Sequence, residues 1–253
     1  MAFDLPYDLP LGKEASIIAY HPSGLVALDK PEGVLSVPNQ PSDLKKSLIN
    51  SKFSKKEEAY VWYSKEKARC YFYICHRLDS PTSGVIIGAL SEKVATEVKK
   101  HFKGREIEKE YLAAVIGSPR GKNGVWKDAL KKTKGGSQVR NTVVRGGQES
   151  SCTWKIIGRN SKLDLTLLSL KPHTGRTHQL RVQTSSRNLP ILGDKTYGNF
   201  KRNAFYRKDT GINRMLLHSK QIRLKGLKIG DHRIDFQAHS KTPPEFAQLF
   251  DNV

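Results

Sequence analysis

The sequence predicts an α+β fold, a single domain built on a mixed sheet. Three observations carry that expectation. Short apolar runs recur along the whole chain, each bounded by Gly, Pro or Ser. Helical periodicity is confined to a few scattered stretches between them. No internal repeat is present, and no linker is long enough to demand two independent domains.

In chain order, Ile17–Tyr20, Leu25–Leu28, Tyr71–Cys75 and Val85–Leu90 read as strands. Tyr111–Ile116, Cys152–Ile157, Leu163–Leu170, Met215–Leu224 and Arg233–Phe236 continue the series. Ser91 is placed to cap a helix in which Val94, Val98 and His101–Phe102 share a face, with Glu92 in its first turn. The stretch Thr177–Arg187 is compatible with a second helix, with Leu180 and Gln183 on adjoining turns. Pro243-Pro244 opens a third over Glu245–Phe250, because proline suits the first helical position. Lys131–Gly136 and Gly198–Gly211 read as exposed loops.

Composition narrows the partners. The 253 residues include 44 Lys plus Arg against 24 Asp plus Glu, a net charge of +20. A charge of that size points to nucleic acid, since cationic side chains gain affinity by displacing counterions from phosphates. The charge is uneven: residues 1–50 are net −2, residues 120–145 net +7 and residues 195–233 net +9, which suggests one positive face. Three cysteines without C-x-x-C spacing argue against a disulfide framework and for a reducing compartment. The first ten residues resemble neither a secretory nor a transit peptide, and no apolar run approaches a membrane span. The expected location is the cytoplasm.

Three segments concentrate reactive side chains. His76-Arg77-Leu78-Asp79-Ser80-Pro81-Thr82-Ser83-Gly84 lies between two strands and gathers an imidazole, a guanidinium, a carboxylate and several hydroxyls. Pro172–Val182 holds His173, Arg176, His178 and Arg181, suited to phosphate binding, catalysis or a salt-bridged structural role. Two histidines five apart across a glycine, with no Cys or carboxylate cluster, fit a metal poorly. Glu108–Val115 alternates so that Lys109 and Tyr111 share a strand face. No phosphate-binding G-x-x-x-x-G-K-[ST] loop, G-x-S-x-G elbow or H-E-x-x-H helix occurs.

Together, in this order, these segments resemble the RluA family of pseudouridine synthases. His76–Gly84 matches H-R-L-D-x-x-T-S-G, Lys109–Val115 matches K-x-Y-x-A-x-V, and Gly175–Val182 matches G-R-T-H-Q-[IL]-R-V. Asp29–Gly33, Gly193–Gly198 and Leu217-His218 fit further family motifs, so that the resemblance spans roughly residues 24–237. One position departs, with Gln183 where the family often has His; little effect is expected. The resemblance implies a largely antiparallel sheet with flanking helices and a central basic cleft. It implies residues 24–253 as the catalytic domain, preceded by an extension, residues 1–23, in which the S4-type RNA-binding domain common in the family has no room, so that no separate S4-type domain is expected.

The resemblance also implies a reaction and its residues. Uridine is isomerised to pseudouridine with atoms and oxidation state conserved, so no cofactor or metal is called for. Asp79 is the essential carboxylate, a nucleophile or a base that promotes glycal formation. Arg181 is the guanidinium that keeps it ionised and directed. Tyr111 stacks beside the uracil and helps remove the C5 proton. Arg77 displaces or replaces the flipped base, and His76, Lys30, Arg176 and His178 contact the RNA. The basic stretches around 120–145 and 195–233 would then hold phosphates along the cleft, with Lys131, Lys132 and Lys134 each either a phosphate contact or solvated charge. The implied partner is a ribosomal or transfer RNA stem-loop, and a monomer is expected. Two other readings compete: a non-catalytic RNA-binding protein on the same fold, and a nuclease using His76, His173 and His178, which would cleave RNA and depend on metal.

Overall fold

The computed structural model describes residue 5 and residues 8–135 and 138–250, with the side chains of residues 134–139 outside the description. It is an α+β structure of two compact units. One comprises Met1–Glu108 and Ser219–Lys241, the other Lys109–His218 and Thr242–Val253.

In the first unit, β1 (Ser16–His21) pairs antiparallel with β2 (Leu25–Lys30), and β2 pairs with β6 (Ser83–Ala89). A second antiparallel run joins β3 (Lys52–Ser54), β4 (Ala59–Tyr63), β5 (Arg69–Ile74) and β6. All seven residues of β6 are buried, as befits a central strand covered on both faces and read in sequence as a continuous apolar run. β12 (Leu217–Ile229) neighbours β6 and pairs antiparallel with β13 (His232–His239). The expected extension therefore contributes a sheet strand, β1, and Gly12 N–H donates to the Leu48 carbonyl at 2.8 Å.

The helix α1 (Glu92–Gly104) begins where the sequence expects. Ser91 Oγ accepts from Val94 N, a cap worth about 1 kcal/mol. Arg105 ends it in the left-handed region. Val94, Ala95 and Val98 pack with Leu25, Val85, Ile87, Ile222 and Phe236 in the core of this unit, so the helix owes its stability mainly to its apolar face.

The sheet of the second unit is antiparallel, in the order β7 (Glu108–Ile116), β11 (Leu165–Pro172), β10 (Gln148–Asn160), β8 (Asn123–Gly135) and β9 (Gln138–Val143). Two cores cover it. Trp126 and Trp154, 5.5 Å apart, join Leu168, Leu180 and Ile191 in one, and Leu112, Leu167, Tyr206 and Phe246 form part of the other. The helices α2 (Gln179–Ser185) and α4 (Pro244–Leu249) stand inside the predicted ranges.

Two expected loops are regular elements instead. Lys131–Gly135 belongs to β8, paired with β9, while Gly136 lies outside the described residues. The pairing supplies backbone partners that a run of Lys and Thr does not advertise, because exposed hairpins carry no apolar face. Gly198–Gly211 holds the helix α3 (Phe200–Thr210). Asn199 Oδ1 accepts from Arg202 N at 3.0 Å and Gly211 closes the end at φ 74°. Only Tyr206 of α3 is buried, so the apolar stripe that reveals a helix is missing. β3 and β4 also have no counterpart in the sequence reading. None of the three cysteines is in a disulfide, and burial pushes the Cys75 and Cys152 thiols up to about 12. No described helix is long and apolar enough to cross a membrane.

Candidate active site

Asp79 sits in the connection between β5 and β6, and that connection is tied down on several sides. Its neighbour Leu78 is buried, with its N–H donating to Ser36 Oγ at 3.0 Å and its carbonyl accepting from the same hydroxyl at 2.8 Å. Ser36 is itself held, since Tyr60 Oη donates to its carbonyl at 3.0 Å. On the other side, Ser80 Oγ donates to the Gly33 carbonyl and Gly33 N–H returns a bond to the Ser80 carbonyl, both at 2.8 Å. Thr82 N–H closes a turn onto the Asp79 carbonyl at 3.0 Å. Gly84 ends the segment at φ 108°, where a Cβ would come within 2.2 Å of the Ser219 carbonyl oxygen, so only glycine fits. Asp79 is half-buried and Arg77 exposed, so the loop presents a carboxylate and a guanidinium from a fixed backbone.

Lys30 requires a correction. Its side chain is fully buried, and Nζ donates to the carbonyls of Pro31, Val34 and Ser80 at 2.8, 2.6 and 3.0 Å. An ammonium held by three carbonyls inside the fold cannot reach an RNA phosphate. It joins the Asp29–Gly33 motif to the Asp79 loop. His76 has a structural bond as well: Ile87 N–H donates to its Nε2 at 3.0 Å, and the ring lies 4.7 Å from that of Phe102. That acceptor role places the ring proton on Nδ1.

In the second unit, Arg181 is 4 % exposed and grips Asp194, Nε to Oδ2 at 2.7 Å and Nη2 to Oδ1 at 2.8 Å. Arg181 thus makes a two-pronged bond, on its Nε–Nη2 edge, with Asp194. Burial pushes the Asp194 carboxyl up, but the Arg181 hydrogen bonds and charge, with the Tyr197 and Thr196 amides, outweigh it and hold the group below its ordinary value. The guanidinium also lies 5.1 Å from the centre of the Tyr197 ring, a cation–π contact. Tyr197 Oη is 2.9 Å from His178 Nδ1 and accepts from Asn141 N at 2.8 Å. His178 therefore helps set the site, and it takes a left-handed backbone (φ 54°) to enter α2. Arg176 is half-buried, with Nε donating to the Glu149 carbonyl at 3.2 Å.

A buried polar chain stiffens α2. Thr174 Oγ1 donates to Gln179 Oε1, Gln179 Nε2 to Gln183 Oε1, and Gln183 Nε2 to Asp128 Oδ2 at 2.7 Å. Arg187 completes it on Asp128 at 3.0 Å, with its guanidinium 5.0 Å from the Trp126 ring. Gln183, the one departure from the family pattern, is thus a fully enclosed link between helix and sheet.

On β7, Lys109 and Tyr111 lie on the same face as expected, and burial pushes the Lys109 ammonium down from its ordinary value. Lys131 and Lys132 are exposed on β8, and Lys134 belongs to its backbone with its side chain outside the described residues. Asn141, opposite Lys132, donates its amide to the Thr177 carbonyl at 2.6 Å. The hairpin is thereby tied to the start of α2.

The sequence pattern of the RNA pseudouridylate synthases matches residues 24–186. The chain belongs to the RluA family of pseudouridine synthases. This synthase is 32% identical to "tRNA pseudouridine synthase C" of Vibrio vulnificus over 222 residues, 81% of its own chain and 83% of that protein. It is 36% identical to "Ribosomal large subunit pseudouridine synthase C" of Buchnera aphidicola over 60% of its chain, and spans about half (48%) of that longer protein. Its fold is that of two human structures, RNA pseudouridylate synthase domain containing 4 (TM-score 0.65, 23% identity, 91% and 90% of the two chains) and domain containing 1 (0.65, 24%, 94% and 89%). Every candidate named from the sequence falls within the matched residues, whereas Asp194 and Tyr197 lie beyond them. That pair belongs to the Gly193–Gly198 motif, to which the resemblance attaches no role. Ser36, Tyr60 and Asn141 carried no sequence signal.

Proposed function

We propose that this synthase isomerises specific uridines in structured ribosomal or transfer RNA, with Asp79 as the essential carboxylate. We also propose that it acts as a cytoplasmic monomer whose residues 24–253 form the catalytic region. The observation that carries the reading is the mounting of Asp79: a reachable carboxylate on a loop clamped by Ser36, Lys30 and Gly33. A reacting group held in one direction has already lost the orientational freedom that the transition state would otherwise remove.

In the reaction, the N1–C1′ bond breaks, the uracil turns, and C5 bonds to C1′. Asp79 either attacks C1′ or removes the C2′ proton to form the glycal. The C5 proton is then lost to restore the aromatic ring and N1 gains one, so atoms balance with no redox partner. Arg181 keeps Asp79 ionised against desolvation. A guanidinium has five N–H donors, so its grip on Asp194 is compatible with a second carboxylate. Tyr111 stacks by the uracil and assists removal of the C5 proton. Arg77, exposed two residues before Asp79, takes the place of the everted base. Arg176, Lys131 and Lys132 supply phosphate contacts.

The test is to map pseudouridines by carbodiimide labelling in total RNA from cells with and without this gene. The reading predicts discrete positions in ribosomal or transfer RNA that lose the label in the deletion strain and regain it when purified protein is added. Identical maps, with no gain on adding protein, would overturn it.

A further inference from the structure

A recess of ≈ 560 Å³ opens in the first unit beside the Asp79 loop, bounded by residues 37–39, Phe53, Lys55, Glu58, residues 74–77 and Lys99. That volume is in the range of ligand sites. Three cations, Lys55, Arg77 and Lys99, face one carboxylate, Glu58, which is held below its ordinary value by the Lys99 hydrogen bond and charge and further by Arg77. Lys99 Nζ bonds Glu58 at 2.6 Å. The lining also offers the half-buried ring of Phe53, braced edge-on by Tyr60 at 5.1 Å, and the exposed amide of Asn39. Net positive charge, a fixed aromatic ring and an amide are the parts that hold a nucleotide: charge for the phosphate, ring for the base, amide for the base edge.

Its position matters as much as its lining. Arg77 is two residues from Asp79, a chain distance of about 7.6 Å at most. The wall at residues 37–39 follows directly on Ser36, whose hydroxyl holds both backbone groups of Leu78. The wall of the recess and the Asp79 loop are thus joined by hydrogen bonds through Ser36.

We propose that this recess binds a nucleotide of the RNA adjacent to the target uridine, with its base on Phe53 and its phosphate between Lys55 and Lys99. The proposal rests on the uridine-isomerising reading above. Such a subsite reads the neighbour of the target and so contributes to the choice of uridine.

Two arms test it. A short single-stranded RNA with 5-iodouridine on either side of a central uridine is irradiated with the full-length protein, and cross-linked peptides are sequenced. A cross-link at Phe53 that is lost in Lys55→Glu is expected. Separately, tritium release is measured on 5-tritiated total RNA from cells lacking the gene. Lys55→Glu and Phe53→Ala should each raise KM about tenfold with kcat little changed; Lys55 is exposed, so its variant tests the site without disturbing the core. Cross-links that avoid residues 53–55, with an unchanged KM in Lys55→Glu, would overturn the proposal. A Phe53 cross-link with no tritium release would uphold the nucleotide site while refuting the isomerase reading, so the two fail separately.

Discussion

Burial opposes the negative charge of Asp194, and Arg181 with two backbone amides reverses the outcome. The folded carboxyl lies below its ordinary 3.8, so its contribution to stability is present above that value and is lost as pH falls below it. Asp194→Asn should therefore cost about 3 kcal/mol at neutral pH, where it leaves Arg181 buried with a neutral partner. The gap to wild type should narrow in denaturant melts as pH drops through 3.8; a gap constant with pH would contradict the assignment. Arg181→Lys keeps the charge but not the fork. It should lose activity, and wild-type tritium release in that variant would refute a geometric role. Tyr111→Phe should bind RNA normally and stall at loss of the C5 proton; normal turnover would reduce Tyr111 to packing. Asp79, Tyr111 and Arg181 stand out as candidates because the segments that hold them match the ordered motifs of the family they resemble. Asp194 as the partner of Arg181, and Lys30 as a buried tie, do not, because sequence reports a residue's type and not its burial.

Among the elements, strands and helices with an apolar face were found from pattern alone: β6 by its unbroken run, α1 by its spacing and its Ser91 cap. The β8–β9 hairpin and α3 were missed because polar, exposed elements owe their form to backbone pairing and caps. Exposed lysines on a tied hairpin make a specific prediction. Lys131→Ala and Lys132→Ala should each weaken RNA binding across sequences and lower the slope of log K against log salt by about 1 if each meets a phosphate. An unaltered slope would mark them as solvated surface. The Asp79 loop depends on Gly84 in the same way that the hairpin depends on Asn141. Gly84→Ala forces a Cβ to within 2.2 Å of the Ser219 carbonyl oxygen, and the melting temperature should fall by at least about 2–4 °C.

At the level of the whole chain, a net charge of +20 is spread unevenly over two compact units, each with its own core. The α+β class was readable because short strands dominate the sequence. The division into two units was not, because the chain passes between them at Glu108 within β7, at His218 within β12, and at Lys241 in the short connection between β13 and α4, with no long linker at any of the three. Binding energy from many cations is shared among all RNA sequences, so charge alone does not account for an isomerase; in the proposed reading the chemistry rests on one carboxylate, Asp79. The direct measurement is tritium release from 5-tritiated RNA of cells lacking the gene, comparing wild type with Asp79→Asn at equal RNA occupancy by filter binding. Loss of all detectable release, with affinity preserved, is the predicted result. Release by Asp79→Asn at the wild-type rate would contradict the account.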